Sequence, residues 1–590
     1  MKIATLVMVF AVMAELQAAA TVYPVPSGIA LNPDFSVEIN DGSGFVPVPV
    51  QDIVDSCFVH FEMNGPVQMR ITVSENVEWH QISPARLNIA SEVDENVITF
   101  TLTEPGQLIV LVNDGAGNHT TGLDGLLIFA EQPETDVPSL SSPNVINIMS
   151  YGVDNTGGTV ETAKIQQAFN DHAGTGNIIY FPTGIYKSGM LHMRSNQSLY
   201  LAPGATLLGS DVYADYVRLP GEGSSSEKYL LGSWYAEGLK VYGRGIINGN
   251  GTALRTQDPT GRGFKTHNIQ FMASNNIIMD GIVSLDAGSW SVEPILCDNL
   301  HISNMKIVSD MRYYGDALLN NDGFDINRCR HVLVEDSFVW ANDDAMTPKN
   351  DRNPNVLPLR DMYDITFRNM IVYTRKCAFK LGSETDNENY RIYDMLVENV
   401  DVVFADRSIA IWSDGGALIE DITFKDIRIE ETSTEYKQNH INFRIDTPGN
   451  SVKNVRIINL SADEPAPKGS VFEGTNLGAI INGETVQYYG IYFENYTIGG
   501  LPVLSLDDER ANFHLDNDAV PADASAFIFA LDLPLRDISM YVEYDEELAE
   551  IGIGVDGESL MGNPAVFSGL EESEDHVVEF GPAPASGLAQ

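Results

Sequence analysis

Two short motifs carry the residues most able to do chemistry: Asn321-Asp322-Gly323-Phe324-Asp325, and Asn342-Asp343-Asp344 some 21 positions further on, counted from Asp322 to Asp343. Three carboxylates brought together repel one another, which raises the pKa of at least one and lets it keep a proton near neutrality. A protonated carboxyl beside ionised ones supplies a general acid next to a base. Hydrolysis of a glycosidic bond needs that division: one carboxyl protonates the leaving oxygen while another activates water or attacks the sugar. Asp and Asn also cap turns, and a lone Asp in a loop is read that way first. The doublet one repeat away from Asn-Asp-Gly moves the reading toward chemistry, provided the architecture brings the motifs together.

The surrounding elements supply that architecture. A unit with apolar residues at alternate positions, usually followed by Asn or Asp, recurs from residue 276 to 460. Examples are Asn276-Ile-Ile-Met-Asp-Gly-Ile282, His331-Val-Leu-Val-Glu-Asp-Ser337, Asp364-Ile-Thr-Phe-Arg-Asn-Met370 and Asp421-Ile-Thr-Phe-Lys-Asp-Ile427. The spacing of roughly 23 to 33 residues is that of a solenoid. The period of two excludes helical repeats, and the units are too short for four-stranded propeller blades. What remains is a parallel β-helix, in which residues one coil apart stack about 4.8 Å apart. Asp322 can then meet Asp343 and Asp344.

Thr159–Ala173 is expected to form an amphipathic helix, with Ala163, Ile165, Gln166, Ala168 and Phe169 on one side, covering the open edge of the first coil. Upstream, residues 21–131 alternate apolar and polar in short runs such as Val67–Val73, Val97–Leu102 and Gln107–Val112, the pattern of an antiparallel β-sandwich. A Pro- and Ser-rich linker at 132–143 separates it from the solenoid, placed at 144–515, and an acidic extension follows at 516–590.

Of the 590 residues, 82 are acidic and 35 basic, a formal net charge of −47, which disfavours nucleic acid and anionic membranes as partners. Residues 1–20 read as a secretory signal, with Lys2, a short apolar run and Ala18 to Ala20 as a cleavage site, so a secreted protein, extracellular or periplasmic, is expected. Four scattered cysteines, Cys57, Cys297, Cys329 and Cys377, lack zinc-type spacing; they are compatible with disulfides or with buried thiols. No cofactor and no resident metal is expected, and the sequence is silent on oligomeric state.

The ordered series Gly288-Ser-Trp-Ser-Val-Glu-Pro-Ile-Leu-Cys-Asp-Asn299, Asn321–Asp325, Asn342-Asp-Asp-Ala-Met-Thr-Pro-Lys349 and Phe379-Lys-Leu-Gly-Ser-Glu384 resembles the polygalacturonase family, glycoside hydrolase family 28. The stretches Tyr180–Tyr186, Leu201–Leu208 and Gly243–Gly251 are similar to the first coils of that superfamily, and the likeness covers roughly 145 to 460. A sandwich before the solenoid and an Asn before the Asp pair also resemble the dextranase and isopullulanase family, glycoside hydrolase family 49. The resemblance implies a right-handed, pectin-lyase-like parallel β-helix and an inverting mechanism. Asp343 would be the general acid, and Asp322 with Asp344 would hold the water.

Two family features are missing. The histidine of a Gly-His-Gly motif falls on Lys376 or Cys377, and the Arg-x-Lys pair that grips a uronate falls on Ala410 and Trp412, or on Ser408 and Ala410. Without such donors a carboxylate is poorly held, which argues against plain polygalacturonate. Trp412 could stack on a sugar or pack in the core. Lys376 and Lys380 could bind an anionic group such as sulfate or solvate the face. Lys349, Arg407 and Asn321 complete the expected substrate-binding set on a polysaccharide or oligosaccharide. Two other classes stay open: a polysaccharide lyase on the same fold, with the aspartates holding calcium, and a non-catalytic glycan-binding β-helix.

Overall fold

A computed structural model describes residues 20–515, interrupted at 54–55, 114–124, 219–227, 258–264, 312–319, 352–357, 387–388, 435, 447–448, 476, 479 and 482–483, and beyond these residues 526–533, 538–540, 553–555, 558–560, 565–566 and 576–580. The proposed leader and most of the acidic extension lie outside the described residues. No helix among the described residues is long and apolar enough to cross a membrane.

The N-terminal strands form two sheets. One carries Phe35–Asn40, Phe45–Val48, Val67–Val73, Ser91–Asp94 and Val97–Leu102, all antiparallel. The other departs from the antiparallel expectation: Gly125–Glu131 runs parallel to Ser56–Met63, with Leu126 opposite Cys57 and Ile128 opposite Val59. The sequence GLLIFAE explains why. This strand is buried on both faces, as parallel strands usually are. Leu126 and Ile128 enter the sandwich core beside Val59, Phe61, Met69 and Ile71. Leu127 and Phe129 point the other way, into a second cluster shared with the solenoid residues Phe338, Trp340, Tyr373 and Phe404.

The solenoid is a right-handed parallel β-helix. Its long parallel sheet stacks coil on coil; Leu300 lies opposite Val332, Val332 opposite Ile365, Ile365 opposite Met395, and Met395 opposite Ile422. These inward residues form one continuous core. The repeated Asn and Asp positions are where the chain bends between faces. Asn276, Asn299, Asp364, Asp394, Asp421 and Asn454 all adopt left-handed backbone, φ 53 to 59°, a conformation Asn and Asp tolerate better than other side chains. A second bend line stacks Asp336, Asn369 and Asn399, whose amides hydrogen-bond coil to coil at 2.7 Å.

The helix is shorter than expected, Thr162–Asp171, because residues 156–160 are taken by a strand that includes Gly157 and Gly158. Ile165, Ala168 and Phe169 are buried, while Ala163 is exposed and Gln166 hydrogen-bonds the backbone of His192. Parallel stacking also continues past residue 515: Phe527–Ala530 pairs parallel with Ile491–Glu494. All four cysteines are buried and none is in a disulfide among the described residues, so the thiol alternative holds rather than the disulfide one.

Candidate active site

A third face of the solenoid is built from two regular parallel ladders, Leu191 to Ile295 and Cys377 to Leu515. Between them the regular pairing thins to single bridges: Val292 to Phe324, Phe324 to Met346, and Met346 to Phe379. Both aspartate motifs lie in this gap. The Gly323 amide donates to the Asp344 carbonyl (2.9 Å), and the Asp322 carbonyl accepts from Ser291 (3.0 Å). Asp322 therefore sits one coil below Asp344. A Cβ on residue 323 would lie 2.3 Å from the Ala345 carbonyl oxygen, so the close approach of these coils requires glycine.

Each carboxylate meets different surroundings. Asp344 is 3% exposed and accepts a hydrogen bond from Lys380 Nζ (2.8 Å) and another from the Cys377 amide (3.1 Å). Burial alone would raise its pKa, but Lys380, and behind it Arg407, outweigh burial and hold it below the ordinary carboxylate range. Asp322, also 3% exposed, lies 3.2 Å from Lys349 Nζ, which is 2.9 Å from Asp325 as well. One ammonium cannot neutralise two buried carboxylates. Asp325 is pushed up to about 8, by burial first, and Asp322 is raised too, by burial and then by Asp325. Asp343 is half-buried and has no cation partner among the described residues; its Oδ2 accepts from Asn320 (3.2 Å) and its Oδ1 from the Asp344 amide (2.9 Å). Burial, then Asp322 and Asp344, raise its pKa well above the usual value.

The expected substrate-binding residues divide. Lys349 is 3% exposed, clamped between Asp322 and Asp325 with its ammonium 3.7 Å from the Trp290 ring. Its ammonium is taken up by protein carboxylates and the indole face. Asn321 is fully buried. Arg407 is 3% exposed and paired with Asp406 at 3.0 Å. Lys380 is engaged by Asp344. Lys376 has no carboxylate partner among the described residues; its ammonium lies 4.4 Å from the Tyr436 ring. Trp412 is half-buried on the outer side of the face, not in the core. Its Nε1 donates to Asn442 (2.7 Å), and Arg444 and Lys380 lie 3.8 and 4.7 Å from its ring.

Sequence reasoning left several contributors unassigned. Asp325 was visible in its motif but had no role, since only the tertiary structure aims it at Lys349. Asn320, Arg444 and Tyr436 carried no local signal. Lys380 opposes Ala410, and Arg444 opposes Trp412, across neighbouring strands. Cations thus flank Ala410 and Trp412, one of the two placements of the missing Arg-x-Lys pair, although Arg444 is itself paired with Asp414 and Asp446.

Comparison with known proteins agrees with this geometry. Residues 221–461, which contain every one of these aspartates and cations, match the glycosyl hydrolases family 28. The matched segment spans the coils of the parallel β-helix that carry the aspartates. An exo-poly-alpha-D-galacturonosidase of Dickeya chrysanthemi is 38% identical over 121 residues, 18% of this chain and 20% of that protein. A probable polygalacturonase of Vitis vinifera is 22% identical over 287 residues, 45% of this chain and 56% of the relative. The chain thus spans about a fifth and about half of these two curated relatives. Dex49A from Penicillium minioluteum shares the fold at a TM-score of 0.56 and 14% identity, over 85% of this chain and 97% of that one.

Proposed function

We propose that the chain is an exported, inverting glycoside hydrolase acting on a polysaccharide or oligosaccharide other than plain polygalacturonate. One observation carries the reading: of the three clustered aspartates, Asp344 and Asp322 each have a lysine beside them, and Asp343 has none among the described residues. Asp343 keeps its proton and gives it to the leaving glycosidic oxygen. Asp344, ionised against Lys380, orients a water, and Asp322, with its raised proton affinity, accepts the proton that water loses. Attack from the face opposite the leaving group inverts the anomeric centre. The substrate restriction rests on the missing paired cations at Ala410 and Trp412, or at Ser408 and Ala410, where a uronate would be gripped.

Product analysis on neutral α-glucans, galactans, sulfated algal glycans and pectins tests this, with wild type and Asp343→Asn side by side. New reducing ends of inverted configuration are expected, with activity about 10²- to 10⁴-fold lower in the variant. Unsaturated products, or cleavage that survives the substitution, would sink the assignment.

A further inference from the structure

Beyond the carboxylates, the same face presents a second group of cations. Tyr436, 51% exposed, is their centre. The Lys376 ammonium lies 4.4 Å from its ring and that of Lys437 5.9 Å, while Lys468 Nζ donates to its carbonyl at 2.7 Å. None of the three lysines has a carboxylate partner among the described residues. This contrasts with Lys349, Lys380 and Arg444, each neutralised by protein carboxylates. Ammonium groups gathered at one residue repel one another, and the ring face near Lys376 and Lys437 offsets only part of that cost. Lys437 and Lys468 also line a cavity of about 420 Å³ together with Asn439, Asn442, Asn512 and His514. Glu473 is the carboxylate in its wall, and Asn442 links the cavity to Trp412 through the indole hydrogen bond.

We infer that this cavity is a subsite for an acidic sugar substituent, a carboxylate or a sulfate ester, held by Lys437 and Lys468. The inference rests on the hydrolase reading for its place in catalysis, but not for binding itself. Strand register puts Asn439 opposite Arg407 and Arg407 opposite Cys377, whose amide touches Asp344. The subsite is therefore three coils along the axis from Asp344, about 14 Å at the strand spacing. Lys349 and Lys380, beside the aspartates, are neutralised by protein carboxylates, whereas Lys437 and Lys468 have no carboxylate partner among the described residues. The fitting substrate has a neutral sugar at the cleavage point and an acidic group further along the chain.

The test uses the full chain carrying Asp343→Asn, so that polymer is bound without being cut. Affinity electrophoresis at low salt is run in gels containing neutral galactan, polygalacturonate or carrageenan, which offer a neutral chain, carboxylates and sulfate esters. Stronger retardation by polygalacturonate or carrageenan than by galactan is expected, against the repulsion of a −47 protein. Retardation by polygalacturonate identifies a carboxylate, and by carrageenan a sulfate. Adding Lys437→Met and Lys468→Met should weaken retention at least tenfold, with an unchanged circular dichroism spectrum, and the corresponding Arg pair should restore it. Undiminished retention in the Met pair, retention by galactan alone, or no retention by either polyanion overturns the subsite. Lysine-dependent retention by a protein whose wild type releases no new reducing ends would overturn the hydrolase reading and leave the subsite standing.

Discussion

At the scale of single residues, lysines decide what the three aspartates can do. Asp322, Asp343 and Asp344 share burial and mutual repulsion, and only their partners differ. Among the described residues Lys380 is the cation that touches Asp344, and its charge keeps that carboxyl ionised well into acid. In Lys380→Met the pKa of Asp344 should rise. Because its ionised form is needed, the acidic limb of kcat/KM against pH should move to higher pH by about one unit or more. The same substitution leaves the Asp343 carboxyl next to one fewer cation, so the alkaline limb should not move down. A pH–rate profile checks both limbs, and an acidic limb that stays in place would remove Lys380 from this role.

At the scale of elements, the bend residues hold the coils in register. Asn369 combines a left-handed backbone, φ 56°, with hydrogen bonds to Asp336 and Asn399 at 2.7 Å. Asn369→Ala loses both, and about 1–2 kcal/mol of stability should go with the backbone alone. Asn369→Gly keeps the backbone relaxed and loses only the ladder, so it should be the milder of the two. Chemical denaturation of both variants separates the contributions. The repeat was legible in the sequence because each coil must bury alternate residues against its neighbours. The reason for Asn or Asp at the bends was less visible, since a turn residue and a ladder residue look alike until coils are stacked.

At the scale of the whole molecule, the sandwich and the solenoid are joined by apolar packing and by polar contacts that include a buried charge cluster. Trp340, Tyr373 and Phe404 stack with centroids 4.0 and 5.0 Å apart, and Phe129 of the sandwich packs edge-on against Phe338 at 5.3 Å. Beside them Glu131, 3% exposed, accepts from Asn304 at 2.7 Å and pairs with Lys306 and His60. Burial would raise the Glu131 pKa, but Lys306 and His60 outweigh it and hold it low. Glu131→Ala leaves Lys306 buried without its counter-charge, a loss of about 3–5 kcal/mol. Calorimetry should show the sandwich melting earlier than the solenoid in this variant; a single unshifted transition would show that the cluster does not join them.

The sequence by itself determined the period of two, the coil length and hence the β-helix, because burial of alternate residues leaves its mark on neighbouring positions along the chain. It also singled out Asp322, Asp343 and Asp344, whose spacing of about one coil is a local property. Only the tertiary structure decided which cation each carboxylate meets, since Lys349, Lys380 and Asp325 reach their partners across coils. It likewise buried Lys349, Lys376, Arg407 and Asn321, which the sequence had offered to a substrate, and brought Lys376, Lys437 and Lys468 to Tyr436. Charge pairing between coils depends on side-chain reach and on the face each residue occupies, and neither is written in the order of residues along one strand.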